Sequence, residues 1–274
     1  MRKISFAKGH GTGNDFVIVA DRHNTMPLTA QDVRALTDRH FGIGGDGLLR
    51  AVKAGHMPEW DGDPDLWFMD YRNADGSIAE MCGNGLRVFA RYLLENDLMT
   101  RNHVATRAGL RGVQVTPDGT FTVEMGPATV GGSVEVSLSG RTWPATTVDV
   151  GNPHAVVLLD EGTDLESLPV HEQPTWSPAE VFPEGVNVEF VVRTGERSLA
   201  LRVHERGSGE TLSCGTGVVA SAAVFARTHG GGEGDYSVTV PGGQLSVRLT
   251  EEQTWLTGPA VLVASGETTV PDAD

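Results

Sequence analysis

The chain contains two cysteines, Cys82 and Cys214, and both stand in the same local pattern. Cys82 lies in MCGNGLRVFARYLL (81–94) and Cys214 in SCGTGVVASAAVFA (213–226); each immediately precedes Gly-x-Gly and an apolar run that reads as a helix. A cysteine at a helix start sits among backbone N–H groups that lack intrahelical partners, at the positive end of the helix dipole. Such a position can lower a thiol pKa from about 8.5 into the range of roughly 3.5–7.5. Two thiols of this kind suggest a matched acid and base, which is what inversion at a carbon requires. One group takes a proton from one face and the other returns a proton to the opposite face. The Gly-x-Gly backbones have a second use, because their free N–H groups can hold a carboxylate and stabilise the charge that develops on deprotonation.

The elements that must position these thiols come in two sets. Phe16–Ala20 (FVIVA) reads as a buried strand, entered through the turn-like GHGTGND. Thr29 with Asp32 forms a helix start, and Val33, Leu36 and Phe41 continue it near helical spacing to the Gly-rich GIGGDG at Gly42–Gly47. That hexapeptide matches G-x-G-x-x-G but follows a helix instead of a strand, so a dinucleotide site fails on context. In DLWFMDYRN (65–73) the alternation of Trp67, Met69 and Tyr71 predicts a half-buried strand. After Cys82, the residues Leu86, Phe89, Ala90 and Leu93 form one stripe of an amphipathic helix. A hairpin is expected to turn at Pro117-Asp118-Gly119.

The second half repeats the plan. Cys214 follows Cys82 by 132 residues, the GPA at Gly126 recurs at Gly258 with the same offset, and Leu199, Leu201 and Val203 answer Trp67, Met69 and Tyr71. GNDFVIV at Gly13 is answered by GNPHAVVLL at Gly151, and Ser177-Pro178-Ala179-Glu180 supplies a second capping box. Matches in one order indicate a duplicated domain. The helix after Cys214 is apolar all round and should be fully buried. The expected fold class is α/β (α+β): two pseudo-symmetric duplicated domains, each a curved, mostly antiparallel sheet wrapped around a central helix. The expected boundaries are 1–126, joined by 265–274, and 127–264. Packing about a pseudo-twofold axis would let the two helix starts face each other across a cleft, with the active site there.

Composition narrows the setting. Of 274 residues, 39% are hydrophobic and 21% charged, which is globular rather than disordered. A net charge of −15 argues against nucleic acid or an anionic membrane as partner. The basic start MRKISF has no apolar run behind it, so no secretory signal is expected. Two cysteines make no disulfide framework, which points to a reduced cytoplasmic setting. The nine histidines lack H-E-x-x-H, neither cysteine has a C-x-x-C partner, and nothing demands a metal or another cofactor.

The segments HGTGNDF, RNADGS, MCGNG, GNPH, GVNVEF, ERGSGET and SCGTG together resemble the diaminopimelate epimerase family, along almost the whole chain. The resemblance implies a cofactor-independent isomerase of lysine and peptidoglycan-precursor biosynthesis, usually a homodimer. It would interconvert LL- and meso-diaminopimelate through Cys82 and Cys214. By the same resemblance, the backbones of Gly83, Asn84, Gly215 and Thr216 would hold the reacting carboxylate. Asn14, Asn73, Asn152, Asn187, Glu205 and Arg206 would read the distal amino-acid end, and His154 and Glu205 would tune the cysteines. Some relatives carry glutamine as a substrate ligand where this chain has Gly47.

Plainer readings exist for each residue. Buried free cysteine is common, but twin placement in C-G-x-G favours chemistry. Each asparagine beside a turn could be only a turn residue. Asn73 and Glu205 stand apart, because each lies nine residues before its cysteine. Arg206 could be a surface cation were it not for its E-R-G context. The rival functions are a proline-racemase type of enzyme, which would not need the distal polar set, and an amino-acid-binding protein without catalysis.

Overall fold

The protein is described here from a computed structural model, over residues 2–270. It divides into two compact units, one holding the chain through Val123 and again from Pro259, the other running Glu124–Gly258. Of the expected returning segment 265–274, residues 271–274 lie outside the described residues.

The first unit contains β1 (Arg2–Gly11), β2 (Asn14–Ala20), α1 (Ala30–Thr37), β3 (Gly47–Lys53), β4 (Trp67–Asn73), α2 (Gly83–Glu95), β5 (His103–Thr106) and β6 (Gly109–Val115). Strand β7 (Phe121–Gly126) crosses the boundary between the units. The second unit contains β8 (Thr129–Leu138), β9 (Arg141–Asp149), β10 (Pro153–Leu158), β11 (Thr175–Ser177), β12 (Asn187–Gly195), β13 (Ser198–Glu205) and β14 (Gly209–Thr211). It continues through α3 (Gly215–His229), β15 (Gly234–Val240), β16 (Gly243–Leu249) and β17 (Thr254–Gly258). Finally β18 (Val261–Val270) belongs to the first unit, where it pairs antiparallel with β1 from Arg2↔Val270 onward.

The protein is a mixed α+β fold, mostly strands, and the same wiring occurs twice. In the first unit the strand order is β18-β1-β2-β3-β4-β5-β6-β7, antiparallel except for β2–β3 and β4–β5. In the second it is β8-β9-β10-β12-β13-β15-β16-β17, antiparallel except for β10–β12 and β13–β15. One helix enters between the fifth and sixth strands of each order: α2 between β4 and β5, and α3, with the short β14 before it, between β13 and β15. Helix α2 packs on β1, β2, β3, β4 and β18, and α3 on strands from β8 through β17. Each sheet thus folds an apolar face around one central helix, which takes that face and the helix out of water together.

The helices follow their sequence signals. Leu86, Phe89, Ala90 and Leu93 are buried along α2, and Gly217–Ala226 of α3 are buried without interruption. Thr29 caps α1 in a reciprocal capping box with Asp32. Three expectations need correction. Helix α1 stops at Thr37 and Phe41 is 95% exposed, because the chain leaves helical geometry at Asp38 (ψ 126°). Strand β4 is covered on both faces over Trp67–Asp70, since Phe68 and Asp70 face buried partners of their own. At Ser177-Pro178 there is no capping box, because Ser177 pairs with Glu135 at the end of β11 and only a 3₁₀ turn follows. Among the described residues, no helix is long and apolar enough to cross a membrane.

Candidate active site

Each unit presents a half-site built on the first turn of its central helix. In the first unit Cys82 is the N-cap residue of α2, with extended backbone (φ −145°, ψ 121°), and its sulfur accepts from the Gly85 N–H at 3.4 Å. The Cys82 thiol donates to Asn14 Oδ1 at 3.7 Å, and the Asn84 amide donates to the same oxygen at 3.3 Å. Asn14 has its orientation set from behind: its own amide donates to Asp46 Oδ2 at 2.8 Å, and Arg39 pairs with both Asp46 and Asp15. Burial raises the Asp15 carboxyl, but the cations Arg39 and Lys8 outweigh it and hold the group well below the usual carboxylate range. The Gly-rich GIGGDG segment therefore brings Asp46 to Asn14.

Asn73 ends β4, where its amide donates to Ser77 Oγ at 3.0 Å and its backbone carbonyl accepts from Gly76, so in this structure it closes a turn. Gly47 begins β3 with no room for more: a Cβ there would lie 2.7 Å from the Arg72 carbonyl and 2.8 Å from the Tyr71 ring. A side chain at this position requires neighbouring backbone to shift.

In the second unit Cys214 is the N-cap residue of α3, buried, with its sulfur 3.5 Å from Thr216 Oγ1. A hydrogen-bonded chain runs from there into the core. Asn152 donates to Thr216 Oγ1 at 3.3 Å, His154 Nε2 lies 3.0 Å from Asn152 Oδ1, and His154 Nδ1 lies 2.7 Å from Glu189 Oε1. Asn187 at the start of β12 donates to the Pro153 carbonyl and accepts from the Arg206 backbone N–H at 2.9 Å. Glu205 ends β13, as Asn73 ends β4, and accepts a hydrogen bond from the Thr211 hydroxyl. Arg206 is exposed, its guanidinium makes no ion pair among the described residues, and its aliphatic stem lies over Gly185.

Both cysteines are free thiols. The expectation that a helix start lowers the thiol pKa fails at Cys214. Burial pushes that thiol well above its ordinary value, and the carboxylates of Glu205 and Glu189 push the same way. The Thr216 hydroxyl and the Gly217 N–H pull only partly back. Desolvation and two nearby anions outweigh a helix dipole there. Cys214 is accordingly a protonated thiol at neutral pH, suited to donate.

Two residues at these half-sites escaped the sequence reading. Glu189 has no exposure, and one of its oxygens, Oε2, has no hydrogen-bond partner among the described residues. Its signal was a carboxylate inside the apolar run VNVEFVV. Arg87 is likewise fully buried, in the second turn of α2. Among the described residues, no group of three His, Cys, Asp or Glu side chains gathers as a metal site would need.

The sequence model of the diaminopimelate epimerase family matches residues 6–131 and 146–263. The chain belongs to the diaminopimelate epimerase family. It is 51% identical to the diaminopimelate epimerase of Streptomyces coelicolor, across 97% of this chain and 95% of that one. Identity to the Mycolicibacterium gilvum diaminopimelate epimerase is 47%, with 96% of each chain covered. Solved structures share the fold of this family member at much lower identity. A hydroxyproline epimerase from Agrobacterium vitis superposes with a TM-score of 0.66 at 14% identity, covering 99% of this chain and 94% of that one. A phenazine biosynthesis protein from Bacillus anthracis gives 0.67 at 16%, covering 98% and 100%.

Proposed function

We propose that Cys82 and Cys214 are the acid–base pair by which this enzyme interconverts LL- and meso-diaminopimelate at one α-carbon, without a cofactor. The observation that carries the reading is the repetition: in a member of this family, each duplicated unit caps its one central helix with a cysteine. A thiolate takes the α-proton, the C–H electron pair stays on carbon as a carboxylate-stabilised carbanion, and the other thiol delivers its proton to the opposite face. The reacting carboxylate binds the first-turn N–H groups of Gly83, Asn84, Gly215 and Thr216, which have no intrahelical acceptors. The distal amino-acid end is read by Asn14, Asn73, Asn152, Asn187, Glu205 and Arg206. His154 and Glu205 tune the thiols. The enzyme acts in the cytoplasm as a homodimer.

The test is epimerisation in deuterated water. Wild-type protein should wash solvent deuterium into the α-carbon of both isomers, whereas Cys82→Ala and Cys214→Ala should keep the fold and lose epimerisation, since a methyl group can neither accept nor donate a proton at pH 7. Appreciable turnover by either folded variant would remove the two-thiol mechanism. Binding of diaminopimelate without exchange would leave only a binding protein.

A further inference from the structure

Arg87 is the one fully buried guanidinium of the half-site in the first unit, and its surroundings are wrong for a structural arginine. It makes no ion pair with a carboxylate among the described residues. Its Nη2 donates to Asn84 Oδ1 at 3.0 Å and to Thr12 Oγ1 at 3.3 Å, its Nε donates to the Pro259 carbonyl at 3.4 Å, and Nη1 has no hydrogen-bond partner among the described residues. The approach is made possible by Gly11, where a Cβ would stand 3.0 Å from Nη2. All three acceptors are neutral. A buried cation normally needs an anion, because removal from water without one is strongly unfavourable.

Burial draws the Arg87 guanidinium down to about 10, which still leaves it charged at neutral pH. The single group that pulls the other way is Cys82. The attraction is mutual: an anion that favours the protonated guanidinium is itself favoured by it. The helix start adds to the effect, because the Gly85 N–H already points at the sulfur.

We propose that Arg87 is a positioning residue that supplies the counter-charge to a Cys82 thiolate, so that the free enzyme rests with Cys82 ionised and Cys214 protonated. The proposal rests on the two-thiol reading above and adds to it which sulfur holds the proton before substrate arrives. On ionisation Cys82 gives up its bond to Asn14 Oδ1 and keeps the Gly85 N–H. Through Asn84, the same guanidinium fixes the amide that meets Asn14, so one buried charge both sets a protonation state and aligns a carboxylate-binding turn.

The experiment uses the Cys214→Ser protein, which leaves Cys82 as the only thiol, and follows its alkylation by iodoacetamide against pH. The midpoint of the rate profile should fall below about pH 7, against an ordinary thiol value of about 8.5. Arg87→Met should raise that midpoint by at least one unit, equivalent to about a tenfold slower reaction at any pH well below both midpoints, and Arg87→Lys should restore part of the shift. Loss of packing alone changes stability and KM but does not move a thiol midpoint in this pattern. A folded Arg87→Met protein with an unmoved midpoint overturns the proposal. So does a midpoint above about pH 7 in the Cys214→Ser parent, a result that needs no Arg87 variant to fold. Neither outcome touches the two-thiol reading, which stands or falls on deuterium exchange by the wild-type enzyme.

Discussion

His154 Nδ1 lies 2.7 Å from Glu189 Oε1, and neither side chain has any exposure to solvent. Since the Asn152 amide is committed to Thr216, its Oδ1 must accept from His154 Nε2, which therefore carries a proton. The Nδ1 contact joins the imidazole to a carboxylate deep in the second unit. Glu189→Ala leaves a buried imidazole without this partner and should cost on the order of 3–5 kcal/mol, the range for breaking a buried ion pair. Urea unfolding measures it. The isosteric Glu189→Gln should cost less and should make Cys214 easier to ionise, visible as an earlier alkylation onset in a Cys82→Ala background.

The raised Cys214 thiol makes alkaline stability testable. Its folded pKa lies above the unfolded one, so the stabilisation is complete below about pH 8.5 and is lost as pH rises toward the folded value. The unfolded chain releases this proton first, giving a slope of up to about −1.4 kcal/mol per pH unit. Between pH 9 and 10.5, wild-type stability should fall more steeply than that of Cys214→Ala. Parallel slopes in the two proteins would show that the thiol ionises as easily folded as unfolded.

Gly85 and Gly217 occupy the same place in the two repeats but should respond differently to alanine. Replacing a helical glycine ordinarily gains about 0.5–1 kcal/mol. At Gly85 a Cβ meets only side-chain carbons, Leu49 Cδ2 at 3.3 Å and Cys82 Cβ and Phe16 Cζ at 3.4 Å, so Gly85→Ala should stay within about 1 kcal/mol of wild type. At Gly217 it would lie 2.5 Å from Glu189 Oε1, which His154 holds in place. Gly217→Ala should destabilise by roughly 1–3 kcal/mol and disturb Cys214 as well. Thermal denaturation of the two variants side by side decides the matter.

An exposed guanidinium with no ion pair is free to take a carboxylate bidentately. Arg206→Met keeps the stem that covers Gly185 and removes only the charge. It should lower kcat/KM for diaminopimelate by an amount equivalent to about 2–5 kcal/mol, with stability changed by no more than about 0.5 kcal/mol. It should not confer activity on amino acids without a second carboxylate. Near-normal kcat/KM would reassign the distal contact and reopen the choice of substrate.

The parts of this molecule legible in its sequence are those with a local period. Cys82 and Cys214 show as N-caps because Gly-x-Gly and an apolar run follow each, and Val33, Leu86 and Phe89 announce their helices by spacing. The internal repeat shows because its landmarks recur in order. What stayed hidden is set by packing across the fold. The first two turns of α2 are buried on every side, so no stripe distinguishes Arg87 from the apolar residues beside it. Glu189 lies in a strand covered on both faces, where alternation carries no information. The sign of the Cys214 shift is a contest between a helix terminus, readable locally, and burial beside two carboxylates, which only the assembled sheet reveals.

The return of β18 to β1 also orders events during synthesis. The second unit is one uninterrupted stretch, Glu124–Gly258, and can complete its sheet as soon as that stretch has left the ribosome. The first unit, although made earlier, must hold β1 with one edge open until residues 261–270 emerge. For the time taken to translate more than half the protein, that edge offers unpaired N–H and C=O groups to any passing strand. Chains released with their last residue at Ala260 should therefore bind chaperones or associate with one another through the first unit, while already carrying a finished second unit.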